Sequence, residues 1–471
     1  MEQTPVRVAG TRITKERSIE VRNPYSHEVI GLVPGCDAAT VAVACEAAAA
    51  ALARDDFPQY RRAEVLEKAA RLVSERIDEF GRTIALEAGK PIRTARAEAT
   101  RCVDTLTFAA TEARKLTGEM IPMDASQSGY GRLAFALRVP IGVVAAITPF
   151  NFPLNLVAHK LAPAIAAGCP VVLKPASSTP FSSIMLVELL IESGMPHDWV
   201  SVVTGSGMEV GEALVTNPIP ALVTFTGSPA VGWHIPGQAP RKKISLELGS
   251  NSPLIVEPDA DLDLVASKVR VAGFSHAGQS CISTQRILVH ESIHERFVDV
   301  LAEAIGTLVV GDPLDEATDV GPLISPEDTQ RVHDWIDAAV ADGATVAAGG
   351  VLEDGLLMPT LVDNVSPDVD LCAKEVFGPV VVVLAYSTFD EALEMADTGE
   401  YGLHAGIFTT DLRKALTAVR KLHFGGVLIN EVPTYRADQQ PYGGVKASGN
   451  TREGPAYAVH EMTQLRFVHL G

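Results

Sequence analysis

Short apolar runs alternating with helical stretches constrain this chain more than any other feature. "GVVAAIT", "PVVLKP", "VSVVTG" and "ALVTFTG" are apolar almost throughout, and helical segments such as "SSIMLVELLIESG" lie between them. Strands that are apolar on both faces are covered on both faces, which predicts a parallel sheet built from βαβ units. A second alternating block starts near Leu246, with the runs "SPLIVE", "QRILVH", "VVVVLAY", "AGIFT" and "GGVLIN". The expectation is an α/β protein with two such sheets, divided near "RKKISLELGS". Open parallel sheets bind ligands at the carboxyl ends of their strands. That points to Thr148, Lys174, Thr204 and the stretch from Thr226 to Ser228.

Upstream, apolar residues recur at helical spacing from Asp37 to Gly81, and a second helix is expected from about Thr94 to Leu116. "GRLAFALRVPIGVV" reads as strands, and the terminal "YAVHEMTQLRFVHL" alternates like an edge strand that needs a partner. At roughly 150 residues per domain, 471 residues allow two or three domains. The net charge of −19 argues against sequence-independent binding to nucleic acid or anionic membranes. None of the six cysteines is paired as C-x-x-C or stands at zinc-ligand spacing from a histidine, so no metal site is expected. The N-terminus lacks an apolar signal region, and the longest apolar stretch, Val139 to Ile147, is too short to span a bilayer. These features predict a cytoplasmic chain with reduced thiols.

The chemistry centres on "GFSHAGQSCIS", Gly273 to Ser283. Small and polar residues surround Cys281, and Gly273 and Gly278 let the backbone approach a substrate closely. A thiolate held there is a strong nucleophile; the alternative is a small buried hydrophobe. Glu247, in "SLELGS", sits at a strand end, where a carboxylate among apolar neighbours can serve as a general base. Its alternative is an ion pair with Lys242 or Lys243. In "TPFNFP", Pro149 and Pro153 stiffen the backbone around Asn151. Its amide suits a developing oxyanion, or else a simple Asx turn. Lys174 ends a strand, where it either meets ribose or phosphate oxygens or is simply solvated. "FTGS", from Phe225 to Ser228, places hydroxyls and a glycine at a helix start, which suits a pyrophosphate. "TGSGMEVG" is like a phosphate loop, but the G-x-G-x-x-G fingerprint is absent.

Taken in order, "TPFNFP", "KPAS", "FTGS", "LELG", "GQSC" and "KEVFGP" resemble the successive motifs of the aldehyde dehydrogenase superfamily, over nearly the whole chain. The resemblance implies two Rossmann-like parallel-sheet domains plus a small β oligomerisation domain. It places a cofactor-binding domain at 1–120 and 142–246, a catalytic domain at 247–452, and oligomerisation strands at 121–141 and 453–471. It implies Cys281 as the nucleophile, Asn151 as an oxyanion donor with the Cys281 backbone N–H, and Glu247 as the base for thioester hydrolysis. For NAD or NADP it implies Lys174 at the adenosine ribose, Ser228 at the pyrophosphate, Glu375 at the nicotinamide ribose and Phe377 beside the ring. Thr148, Pro149, Phe150, Gly207, Phe225, Thr226 and Gly227 complete the implied cofactor contacts. Ser177 stands where NAD-preferring relatives often carry glutamate, which makes NADP acceptable. Ser250 replaces a second glycine after "LELG".

The implied reaction is oxidation of a small aldehyde to its acid by a homodimer or homotetramer. Coenzyme A-acylating relatives generally lack the base that Glu247 supplies, so water is the expected acceptor. A catalytically dead binding protein is disfavoured by the intact Cys281, Glu247 and Asn151. "PTYRADQQPYGG" resembles lactaldehyde- and phosphonoacetaldehyde-type members, and Arg101, His159 and Arg436 are candidate substrate contacts. For the two arginines the alternative is ordinary surface ion pairing. Succinate-semialdehyde and glyceraldehyde-3-phosphate enzymes often carry an arginine just before the cysteine. Ser275 and Ser280 occupy those positions here, which disfavours both substrates.

Overall fold

The computed structural model describes residues 1–470 and contains the two expected sheets. The first has five parallel strands: Lys243–Glu247, Pro220–Thr226, Val143–Ile147, Val171–Lys174 and Val200–Val202, in that spatial order. The second has seven: Thr345–Ala348, Thr360–Asp363, Val380–Tyr386, Thr284–His290, Ser252–Val256, His404–Phe408 and Gly426–Ile429. All are parallel except Thr345–Ala348 at one edge. Each sheet has its own apolar core. Lys243–Glu247 closes the first sheet, and Ser252–Val256 opens the second after a four-residue connection, Leu248 to Asn251.

The helical block divides more finely than its periodicity suggests. It forms Ala38–Arg54, Gln59–Glu75 and Ile77–Ala88. Asp55 ends the first helix in a left-handed conformation and Pro58 precedes the second; Arg76, outside the helical region, separates the second from the third. The next helix, Ile92–Lys115, matches its expectation. Two N-terminal hairpins, Val6–Val8 with Thr11–Ile13 and Ser18–Arg22 with Val29–Pro34, went unread in the sequence.

A third, antiparallel sheet joins Glu119–Ile121, Leu133–Pro140 and Thr463–Leu470. The terminal stretch read as one strand is divided: Pro455–Glu461 is helical, and pairing begins at Thr463. Leu465, Phe467 and Leu470 on the outer strand are at least half exposed. No helix among the described residues is long and apolar enough to cross a membrane.

Candidate active site

The strand ends of the first sheet bring Ile147–Thr148, Lys174, Thr226 and Glu247 to one edge. The second sheet meets that edge with the loop that precedes Thr284–His290, and Cys281 sits in it. The loop has an unusual backbone: His276, Ala277 and Gly278 are consecutively left-handed, with φ of 51°, 53° and 69°. Gln279 anchors it: the side-chain amide donates to the His276 carbonyl at 3.2 Å, and Oε1 accepts from the Ile324 N–H at 2.9 Å.

Cys281 is partly exposed and forms part of the wall of two cavities. The first, of about 350 Å³, is lined by Phe150, Asn151, Ser228, Glu247, Glu375 and Phe377 among others. The second, of about 180 Å³, is lined by Arg101, Phe152, Ser275, Ser280, Arg436 and Tyr442 among others. Burial pushes the Cys281 thiol up to about 12; a Tyr442 hydrogen bond and the Arg436 charge act against that rise. The other five cysteines are buried.

Asn151 is buried, and its Nδ2 donates to the Gln279 carbonyl at 2.9 Å. That bond ties the amide to the nucleophile loop and leaves its second N–H free to donate. Glu247 is 3 % exposed, yet neither carboxylate oxygen has a hydrogen-bond partner. Neither lysine of the ion-pair alternative reaches it: Lys242 bonds the Val215 and Asn217 carbonyls, and Lys243 pairs with Glu461. Burial, reinforced by the nearby charge of Glu453, raises the Glu247 carboxyl well above its usual range. Burial works the other way from its neighbours at Glu453, whose pKa Lys160 and Arg436 hold down to about 2. The spacing of Lys160 and Glu453, 293 positions apart, gave no sign of this pairing.

The first cavity fits a dinucleotide. Ser228 caps the helix Pro229–Gln238, leaving the helix N-terminus facing the cavity side where an anion is favoured. Thr148 and Thr226 each keep a buried hydroxyl without a partner. A Cβ on Gly249 would come within 2.3 Å of the Glu375 carboxylate, so that surface admits only a bare backbone. Glu375, brought to about 7 by burial, accepts from the Ser250 N–H at 2.9 Å. Phe150 and Phe377 meet edge to face, with ring centroids 5.9 Å apart. At a distance, Lys174 is buried with no anionic partner, and burial lowers its pKa to about 8. Its side chain passes Gly211 of the π-helical turn Gly207–Gly211. Ser177 is half-buried, and its hydroxyl donates to the Gly205 carbonyl at 2.8 Å.

The three candidate substrate residues fall in two layers. Arg101 and Arg436 line the second cavity, whereas His159 does not. His159 lies one layer below, 1 % exposed, with Nε2 2.9 Å from Asp438 Oδ1. Burial lowers its pKa, so the ring is neutral. Asp438 also accepts from Asn155 Nδ2 at 2.9 Å and holds Arg101 at 2.8 Å. Both arginines are therefore ion-paired, Arg436 with Glu453 at 3.0 Å. The Arg436 side chain is only 6 % exposed, and its guanidinium lies 3.7 Å from the centre of the Tyr442 ring.

The aldehyde dehydrogenase family matches residues 12–468. A 3-sulfolactaldehyde dehydrogenase of Priestia aryabhattai is 44 % identical, covering 100 % of this chain and 98 % of its own length. The structure of aldehyde dehydrogenase 21 from Physcomitrella patens, solved with the product succinate, is 38 % identical with a TM-score of 0.96, covering 100 % of this chain and 98 % of that one. The glyceraldehyde-3-phosphate dehydrogenase GapN of Methanocaldococcus jannaschii, solved with NADP, is 39 % identical with a TM-score of 0.93, covering 97 % and 99 %.

Proposed function

Because this chain belongs to the aldehyde dehydrogenase family, we propose that it oxidises a short, anionic aldehyde to the carboxylic acid, with NADP or NAD as acceptor and Cys281 as nucleophile. One observation carries the reading: Cys281 is shared by the walls of a larger cavity suited to a dinucleotide and a smaller one that holds two arginines. The Cys281 thiolate attacks the aldehyde carbon, and the resulting oxyanion is met by the Asn151 amide and the Cys281 backbone N–H. A bound nicotinamide supplies the hydride acceptor, and the cysteine is left as a thioester. Glu247 then removes a proton from water, which attacks the thioester and frees the acid. The burial that raises its pKa also makes its carboxylate the stronger base.

Lys174, Ser177, Gly207, Phe225 to Ser228, Glu375 and Phe377 hold the dinucleotide, with Thr148, Pro149 and Phe150 nearer the reacting end. The substrate class follows from the second cavity. It is small, and Arg101 and Arg436, each paired with a carboxylate behind it, share its wall with the hydroxyls of Ser275, Ser280 and Thr434 and with Phe152, Leu156 and Ile282. That lining suits an anionic group two or three carbons from the aldehyde, such as a sulfonate, phosphonate or phosphate, and the relation to a 3-sulfolactaldehyde dehydrogenase favours the sulfonate. His159 acts indirectly by fixing Asp438. In this reading residues 1–120 and 142–246 bind cofactor and 247–452 carry the chemistry. The three-stranded sheet that Leu133–Pro140 and Thr463–Leu470 form within the chain then meets a second copy through its exposed outer strand.

The test is a panel of short sulfo-, phospho-, carboxy- and hydroxy-aldehydes, assayed with each cofactor and with or without coenzyme A. Anionic three-carbon aldehydes should give the highest kcat/KM, without need for coenzyme A. Cys281→Ala should abolish turnover while cofactor binding persists. Turnover that depends on coenzyme A, or that survives Cys281→Ala, overturns the reading.

A further inference from the structure

We propose that Tyr442 is the hydrogen-bond donor that holds the Cys281 sulfur, and that it stabilises the thiolate at the moment of attack. The proposal rests on Cys281 being the nucleophile and adds a partner for it from "PTYRADQQPYGG", a stretch read above only for Arg436.

Tyr442 Oη lies 2.8 Å from Cys281 Sγ, across 161 positions of sequence. A thiol is a poor donor and a phenol a good one, so the hydroxyl donates to sulfur. The tyrosine has little freedom to point elsewhere. It is 2 % exposed, the Tyr442 N–H donates to the Glu453 carbonyl at 3.2 Å, and the Glu453 N–H donates back at 2.6 Å. The His404 ring meets its edge with centroids 5.1 Å apart, and the Arg436 guanidinium lies 3.7 Å over its face. A cation on that face draws electron density from the ring and makes the O–H a stronger donor.

Once the sulfur ionises, the contact becomes a charge-assisted hydrogen bond, roughly twice as strong as a neutral one. The surrounding charges make that donor matter. Glu247 and Glu375 lie on the cofactor side and oppose a negative sulfur, while Arg436 favours it. The neutral His404 adds no charge. Tyr442 keeps its own proton, because burial and the adjacent sulfur raise the phenol well above its usual range. No proton transfer is therefore assigned to it; its part is to lower the energy of the anion beside it.

The test is the rate of Cys281 alkylation by iodoacetamide as a function of pH in the full-length protein, read by mass spectrometry of the Cys281 peptide. The five buried cysteines react slowly and serve as internal references. Tyr442→Phe keeps the ring and its packing and removes only the donor. At each pH below the thiol's midpoint the reaction should be about tenfold slower than in the wild type, which is the loss of about one pKa unit of thiolate stabilisation. Unchanged cofactor affinity and thermal midpoint in Tyr442→Phe show that the fold persists. An unchanged or faster alkylation rate in a folded variant means that Tyr442 only packs, and overturns the proposal while leaving Cys281 as nucleophile. A Cys281→Ala variant that still oxidises aldehydes overturns the nucleophile assignment, and this proposal with it.

Discussion

Gly278 and Gly378 are in backbone contact: a Cβ placed on Gly278 would lie 2.0 Å from the Gly378 carbonyl oxygen. Gly378 belongs to "KEVFGP", so this contact seats the nucleophile loop on the segment that carries Glu375 and Phe377. Gly278 also has φ of 69°, which side chains rarely adopt. Gly278→Ala should therefore displace the loop. A shift of about 1 Å in a reacting group costs roughly a hundredfold in rate, so kcat should fall by about that factor, measured beside an unchanged far-ultraviolet circular dichroism spectrum. Near wild-type kcat would show that the loop tolerates the displacement.

Glu247→Gln separates the two halves of the proposed reaction. Gln keeps the shape of the side chain and removes its basicity, so attack by Cys281 should proceed and hydrolysis should stall. A burst of reduced cofactor of about one equivalent should precede a steady rate roughly a hundredfold or more below wild type. Mass spectrometry should find the acyl group on Cys281. An undiminished steady rate assigns hydrolysis to another group.

With Lys174 at the dinucleotide, as proposed, cofactor binding should depend on pH. Burial lowers its pKa to about 8, so the free protein carries this charge below pH 8 and loses it above. An anionic or ribose ligand gains from the charged form. Cofactor Kd, measured by fluorescence quenching, should stay flat below pH 8 and then rise by up to about tenfold per unit. In Lys174→Met the Kd should be weaker throughout and flat across the same range. A wild-type profile that stays flat past pH 9 removes Lys174 from the cofactor site.

Ser177 bears on the choice between cofactors through what it lacks. Its hydroxyl proton is directed to the Gly205 carbonyl, so it is not a donor waiting for a phosphate. NADP stays acceptable because serine brings no negative charge, whatever its hydroxyl does. Ser177→Glu should raise the KM for NADP by at least about tenfold and alter that for NAD much less, since only NADP has a 2′-phosphate to repel. Equal losses for both cofactors would place Ser177 away from the ribose 2′ position.

The strands and their polar ends were legible because wholly apolar runs of five to seven residues admit few other interpretations. Cys281, Glu247 and Asn151 stood out for the same local reason: reactive groups among glycines, prolines or apolar neighbours. What stayed hidden is pairing at long range. Asp438 gathers Arg101, Asn155 and His159 from two helices more than 270 positions away, and nothing in "YRAD" announces that. His159 looked like a substrate contact because it stands where many relatives carry a large aromatic, and nothing in its sequence signals that every residue of Asn155–Ala167 is buried. The break at Arg76 was equally silent, because the apolar stripe continues across it.

Cys281 contributes to two cavities rather than lying at the bottom of one, and this has a consequence for traffic through the enzyme. A single pocket obliges the ligand that enters last to leave first. With a separate approach on each side of the sulfur, neither reactant obstructs the other's path, so sterics impose no compulsory order of loading. Dead-end inhibitors shaped like the aldehyde and like the dinucleotide should then be able to occupy the protein together.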